Sequence, residues 1–548
     1  MAPVSRAENS EVAALRWREL ALPGRDLLRV CEALRAEPGA WLLDSAGPTS
    51  RLARYSFAGG NPYLVARVFG KRIEIQCRRA VRDSLRIGPS EERQGVFDWV
   101  RTVLPAFDVD ESQLPVPLPF VGGAVGYWGY ELAGEIEALE FHGADDLGLP
   151  DATLLFVDQL VALDRVSGRF FAIALGFGRD FQRAGVRAER GLKNLLASLA
   201  PLESTPAHRD DEASLAPSGL DRKSLLNTPM PPDLPGSFDA KGYRDRVRRL
   251  KSEIAAGNVY EANLTRRMDR SFSGDAFALY RALRRASPAP FASFMELPEV
   301  AILSSSPERF LRLTPGGEVE SRPIKGTRPR GLSAQEDSRL AAALAASEKD
   351  RAENLMIVDL VRNDLGRVCE IGSIRVPELM VVEAYSSVFH LVSAVSGKLG
   401  KGKDRTDLFR AAFPPGSMTG APKIAAMKLL NELEPVRRGV YSGALGYLDV
   451  RGGMDLSVVI RTLLVHKGRV HVHAGGAVVA DSDPQTEYEE SLHKTRAMWA
   501  AVEAAEECGA KRSLLAKPEL GAQPGDGEPA LALPGCPPGS VQGYRETR

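Results

Sequence analysis

Cysteine is scarce: the 548-residue chain has five, at positions 31, 77, 369, 508 and 536. The number is odd, the spacing wide, and no C-x-x-C pair occurs, which argues against a disulfide framework and a thiolate zinc site. Net charge is also lacking. Lys and Arg total 71 and so do Asp and Glu, which gives no overall field to attract nucleic acid or an anionic membrane. No run of about 18 apolar residues occurs, and the start MAPVSRAENSEVAALRW lacks the apolar stretch of a signal peptide. A cytoplasmic, globular enzyme with reduced thiols is therefore expected. At 44 % hydrophobic residues the chain can bury a large core.

Residues 1 to about 200 alternate strand-like apolar runs such as YLVARVFG and ATLLFVDQLVAL with Gly/Pro turns, the pattern of an antiparallel-rich α+β subdomain. Residues 201–236 turn to Pro, Ser, Asp and Glu, too polar to bury enough surface to order themselves, and read as a linker. A helix is predicted next, with Tyr243, Val247, Leu250 and Ile254 on one face, Ser237 or Asp239 as cap and Gly257 as stop. It opens a catalytic domain over 237–505. From 509 to 548 the chain is Gly/Pro-rich without periodicity and is predicted to be disordered.

Two helical segments place carboxylates three apart. In KDRAENLMIVDLVRNDLGR, Asp350 and Glu353 share a face, with Leu355, Ile357 and Val358 as apolar anchors; in DPQTEYEESLHKTRAM, Glu487, Glu490 and Lys494 share another. Such pairs are common on solvated helix faces. Facing each other, however, they would make an all-oxygen site suited to Mg²⁺, which takes one or two protein carboxylates and keeps several waters. The loop FPPGSMTGAPK opens a helix near Pro422, with Gly420 allowing close backbone approach. It is not a P-loop, because the G-x-x-x-x-G-K-[ST] spacing fails, and GGAVGYWGYE lacks the strand-to-helix context of a dinucleotide fingerprint. In SRPIKGTRPRG, Lys325 lies between Arg322 and Arg328, and those cations are expected to depress its pKa and populate a nucleophilic neutral amine.

Taken together, SPERF, RPIKGTRPRG, AENLMIVDLVRNDLGRV, SSVFHL, FPPGSMTGAPK, GALGYL, VIRT and HAGGAVVADSDPQTEYEE resemble the chorismate-utilising enzymes, the group of anthranilate, isochorismate, salicylate and aminodeoxychorismate synthases. Coverage of 237–505 is nearly continuous. The N-terminal half matches through LLDSAGPTSRLARYSFAG and PFVGGAVGYWGYE. Within the group, the lysine of PIKGT resembles the aminodeoxychorismate synthase component I branch, where anthranilate synthase-like members typically have alanine. The resemblance implies an α+β fold of two face-to-face, antiparallel-rich sheets flanked by helices, with a cleft for the active site.

It also implies roles. Mg²⁺ would be held by Glu353 and Glu490, with Asp350 and Glu487 acting through waters. Lys325 would attack chorismate, with Glu308 as general acid for the departing hydroxyl. His390, Thr419, Tyr447, Arg461, Gly475 and Gly476 match substrate-contacting positions, and Lys494 a further active-site cation. The reaction implied is a transferase-like exchange of hydroxyl for amine, yielding 4-amino-4-deoxychorismate for 4-aminobenzoate and folate biosynthesis. With no glutaminase signature visible and no room for a fused lyase, ammonia is expected from a glutamine amidotransferase subunit, and conversion to 4-aminobenzoate from another protein. Ser45, Pro290 and Phe291 match the region where relatives bind tryptophan. One departure is Glu261 in VYEANLT, where amine-transferring relatives usually have glutamine and water-using relatives lysine. The alternatives are an anthranilate synthase component I-like enzyme and a catalytically silent chorismate-binding subunit.

Overall fold

A computed structural model describes residues 11–204 and 236–515, apart from 23, 25, 37–38, 48–51, 111–113 and 386–387. Two large sheets dominate it. The eleven-stranded sheet runs in the order Val12–Leu20, Arg169–Gly178, Gln159–Asp164, Tyr55–Gly59, Trp41–Asp44, Phe291–Glu296, Ala301–Ser306, Thr462–His466, Arg469–Val478, Glu261–Ser271 and Gly420–Ala421. The twelve-stranded sheet begins at Ile324–Pro329 and passes through Val388–Lys398, Glu318–Arg322, Arg309–Leu313, Met454–Val458 and Ala444–Asp449. It continues into Gly123–Trp128, Ala152–Val157, Leu64–Phe69, Arg72–Cys77 and Gly88–Arg93, while Arg375–Ala384 pairs with Val388–Lys398 at the other end. Neighbouring strands pair antiparallel throughout both sheets. The expected α+β class is the one observed.

The layers are helix, sheet, sheet, helix. Trp41, Phe57, Phe120, Tyr127, Phe171, Ile302 and Tyr447 fill the space between the sheets, where Phe120 stacks on Tyr447 at 4.5 Å between ring centroids and meets Phe57 edge-on. The outer face of the first sheet is covered by the helices Ala240–Ala255 and Ala276–Ala286, through Tyr243, Val247, Leu279 and Leu283. The outer face of the second is covered by Val96–Val103, Glu348–Gly366 and Arg405–Ala412, through Trp99, Ile357 and Phe409. Strands coated on both faces need no polar side: Gly123–Trp128 and Ala152–Val157 are buried at every position. Their apolar runs in the sequence have this cause.

The helix predicted after 237 spans Ala240–Ala255, capped by Asp239, whose side chain accepts from Gly242 N; Tyr243, Val247 and Leu250 are buried. The division at 201–236 is not a division between packed bodies. Five strands of each sheet come from before residue 200 and the rest from after 237, so both stretches build the same two sheets. Residues 201–204 belong to the helix Phe181–Ser204, and 205–235 lie outside the described residues. The helix Arg496–Leu515 runs six residues past the expected start of the tail at 509; 516–548 also lie outside.

Candidate active site

The strands Glu261–Ser271 and Ile324–Pro329 lie at or next to the ends of their sheets, and here the two sheets exchange a charge contact. Lys325 Nζ is 2.5 Å from Glu261 Oε1, with the two residues 8 % and 0 % exposed. Glu261 Oε2 is buried without a hydrogen-bond partner among the described residues. Burial by itself would lower the Lys325 pKa, but Glu261, then Glu353 and Glu308, outweigh it and the net shift is upward. This corrects the expectation of a pKa depressed by flanking arginines. Arg322 turns to Glu378 and Glu383, and Arg328 to Asp350. Each arginine is drawn to carboxylates of its own, so adjacency in sequence did not become proximity in space.

Glu308 sits in the turn before Arg309–Leu313, its Oε1 3.5 Å from Ile324 N. Burial pushes its carboxyl up to about 7, against the downward pull of Ser417, Lys325 and Arg461. His390 is buried on Val388–Lys398, directly across from Thr327. Its Nδ1 is 2.9 Å from Thr327 Oγ1 and its Nε2 is 3.1 Å from an Arg461 nitrogen. Arg461 can only donate, so Nε2 accepts and the ring proton sits on Nδ1. Burial, reinforced by Arg461, holds the His390 pKa well below the usual histidine range, and the ring is neutral. Arg461 adopts a left-handed backbone with φ +50; burial lowers its pKa to about 10, which still leaves it charged at neutral pH.

Thr419 is fully buried, and its carbonyl accepts from Asn263 N at 2.9 Å. Gly420, with φ +143, pairs with Ala262, and a Cβ there would meet Glu261 O at 2.1 Å, so only glycine lets this loop reach the lysine's partner strand. Gly475 and Gly476 lie on Arg469–Val478, next to Glu261–Ser271. The Gly475 carbonyl accepts from Lys494 Nζ at 2.9 Å. A Cβ on Gly476 would lie 3.1 Å from Glu487 Oε2 and 3.6 Å from Glu490 Oε1.

The carboxylates come from the helices Glu348–Gly366 and Pro484–His493. Glu353 is buried, which raises its pKa to about 7 against the pull of Lys325. Glu487 is buried and accepts from Ser482 Oγ at 2.6 Å. Lys349 bridges the two helices, 3.8 Å from Glu353 and 3.4 Å from Glu487. Glu490 is paired with Lys494 at 2.7 Å, and that cation lowers its pKa. Asp350 is held by Arg328. Among the described residues no three Asp, Glu, His or Cys side chains converge to metal-ligand distance; Lys349, Lys494 and Arg328 are paired with these carboxylates. Leu355, expected as an apolar anchor, is 53 % exposed.

Tyr447 does not join this group. It lines a separate cavity of about 410 Å³ between the sheets, with Asp44, Ser45, Arg54, Phe291 and Arg309. Ser45, Pro290 and Phe291, matched in sequence to a tryptophan-binding region, therefore share one hollow. Tyr447, from the motif GALGYL, lies on the strand Ala444–Asp449 with its ring against Phe57 and Phe120 in this cavity. Sequence reading also passed over Thr327, visible only once strand register sets it beside His390, and Lys349, four residues before Glu353. Glu261, the departure from the family pattern, is the carboxylate that meets Lys325.

A family model described as chorismate binding enzyme matches residues 70–500. The protein named aminodeoxychorismate synthase of Streptomyces pristinaespiralis is 42 % identical over 467 residues, 85 % of this chain; the chain spans 62 % of that relative's length. Anthranilate synthase component 1 of Thermus thermophilus is 43 % identical over 393 residues, 71 % of this chain and 79 % of its own. The crystal structure of anthranilate synthase component I from Streptococcus pneumoniae superposes with a TM-score of 0.67 at 30 % identity, covering 82 % of this chain and 93 % of that one.

Removing one member of a buried ion pair leaves the other charge uncompensated. Lys325→Met is expected to cost about 3–5 kcal/mol, measured as a fall in the denaturant midpoint; an unchanged midpoint would mean the pair is not buried as described.

Proposed function

This chain belongs to the chorismate-binding enzymes, and from that premise we propose that it is the aminating component of an aminodeoxychorismate synthase. It exchanges the C4 hydroxyl of chorismate for an amine and keeps the enolpyruvyl group, supplying 4-aminobenzoate and folate formation. Similarity does not choose between this activity and anthranilate formation, since relatives of both names stand at 42 % and 43 % identity. The observation that carries the choice is Lys325: a buried amine on a sheet edge, with the Glu308 carboxyl close enough to influence it. Lys325 attacks C2 while Glu308, protonated below about pH 7, gives its proton to the hydroxyl leaving C4. Ammonia then attacks C4 and displaces the lysine. Arg461, oriented by neutral His390, has further N–H groups for a substrate carboxylate.

The donor set at the two helices suits Mg²⁺ in its chemistry, although the carboxylates are paired here with Lys349, Lys494 and Arg328 rather than gathered round one point. All its groups are carboxylate oxygens, two of them already face one cation, the Lys349 ammonium, and the missing side chain of Gly476 leaves room beside Glu487 and Glu490. Glu353 and Glu490 would hold the ion, with Asp350 and Glu487 behind them; bound there, Mg²⁺ supplies charge withdrawal at the ring carboxylate of chorismate. A glutamine amidotransferase subunit is the proposed ammonia source.

Incubation of the chain with chorismate, Mg²⁺ and ammonium salt, followed by chromatography with mass detection, is expected to give aminodeoxychorismate, and Lys325→Met to give none. Anthranilate instead would transfer the assignment to the other branch, and no product would leave a silent binding subunit. Glu490→Gln is expected to shift the Mg²⁺ activation curve to higher concentration; an unmoved curve removes the proposed metal site. Because Glu308 must carry its proton, kcat/KM is expected to fall as pH rises through about 7, and Glu308→Gln to lower kcat by about 10²–10⁴-fold; a profile without that limb would take the acid role from Glu308.

A further inference from the structure

An ammonium has no lone pair, and Lys325 is held as one. Glu261, Glu353 and Glu308 all favour its charged form, and Glu490 interacts with the same charge from the opposite helix. Before Nζ can bond to carbon, a proton must leave it, and the surroundings restrict where it can go. Glu308 has to keep its own proton for the departing hydroxyl. Glu353 and Glu490 are engaged with Lys349 and Lys494. Among the described residues Glu261 is the carboxylate paired with Nζ, at 2.5 Å, a distance for direct transfer. It is 0 % exposed, so a proton placed on it is shielded from bulk water, and its Oε2 is buried without a partner among the described residues.

We propose that Glu261 is the proton acceptor that makes Lys325 a nucleophile, storing the lysine's proton while the lysine is bonded to the ring and returning it when the lysine leaves. The proposal rests on the amination reading above. The balance closes. Lys325 ammonium gives one proton to Glu261, leaving a neutral amine and a neutral carboxyl. The amine forms the Nζ–C2 bond as the C4–O bond breaks, and the hydroxyl departs as water with the Glu308 proton. Ammonia forms the N–C4 bond as Nζ–C2 breaks, and the released neutral lysine takes its proton back from Glu261. The new ammonium on C4 returns one proton to Glu308. The sum is chorismate plus ammonia giving aminodeoxychorismate plus water. Glutamine at this position would take away the carboxylate in contact with Nζ; here the group that does most to hold the proton in place is also the one that can receive it.

The test compares wild type and Glu261→Gln, as full chains with chorismate, Mg²⁺ and ammonium salt, between about pH 6 and 9. Expected for Glu261→Gln is a kcat lower by about 10²–10⁴-fold at neutral pH with KM for chorismate nearly unchanged, and a deficit that narrows as pH rises and solvent removes the lysine's proton. A kcat within about threefold of wild type, with a parallel pH profile, overturns the proposal. If Glu261→Gln does not fold, Glu261→Asp keeps the charge but withdraws it by about one bond length, and kcat is expected to fall on the order of 10²-fold; an unchanged kcat there overturns it equally. Wild type that makes aminodeoxychorismate while Glu261→Gln stays active fails this proposal alone. Wild type that makes none fails the amination reading, and the nucleophile's proton acceptor with it.

Discussion

The contact between Lys325 and Glu261 sets the terms for the rest of the site. It joins the end regions of two sheets that elsewhere face each other across aromatic and aliphatic side chains and the cavity beside Tyr447, and it does so where water cannot share the cost. Two charges taken out of water lose several kcal/mol each in hydration, recovered only when they meet at good geometry. The loop at Thr419 and Gly420 therefore has to pack tightly on the strand carrying Glu261, which it does by backbone pairing at Ala262 and by having no Cβ at 420. A looser edge would admit water to the pair and weaken the field that each neighbouring carboxyl experiences.

From that pair outward the site runs from dry to wet. Glu308 and Glu353, buried, are both pushed up to about 7, whereas Glu490, half exposed and beside Lys494, is pulled down. The same residue type is thus shifted in opposite directions by its surroundings. A carboxyl that keeps a proton at neutral pH suits protonation of a leaving group, and one that stays ionised suits a cation or the anionic end of a substrate that needs one. Lys349 and Lys494 stand at the open end, where they balance the acidic helices without entering the interior.

Much of the architecture was readable because it is local. The apolar stripe of Tyr243, Val247 and Leu250, with Asp239 before it, specifies its helix with no reference to distant residues. The segments carrying Asp350 with Glu353 and Glu487 with Glu490 are likewise helical, over Glu348–Gly366 and Pro484–His493, as their local spacing implies. What was misread depends on pairing between distant segments. The arginines on either side of Lys325 flank it in sequence, yet each is drawn to its own acid. Tyr447 lies in a family motif on a central strand, but strand alternation and the packing of Phe57 and Phe120 turn it into the inter-sheet cavity. The linker-like composition after 201 suggested two bodies, while the sheets run unbroken from one half of the chain to the other. No window of sequence contains that register.

A lysine nucleophile and a carboxylic acid catalyst make opposite demands on pH. Even an unshifted lysine, near 10.4, is neutral in fewer than about one molecule in a thousand at pH 7, and here the shift is upward. An acid near 7 is half deprotonated at that same pH. If both groups exchanged protons only with water, the state with neutral amine and protonated acid would be a small product of two fractions, and raising pH to free the amine would empty the acid. Moving the lysine's proton inside the protein separates the two requirements: the total proton count stays fixed, and only its distribution between Nζ and a neighbouring oxygen changes. A buried acceptor in contact with the amine is what that solution needs, and it needs the acid to be a different residue. Glu261 and Glu308, on separate segments and both in electrostatic reach of Lys325, meet that condition.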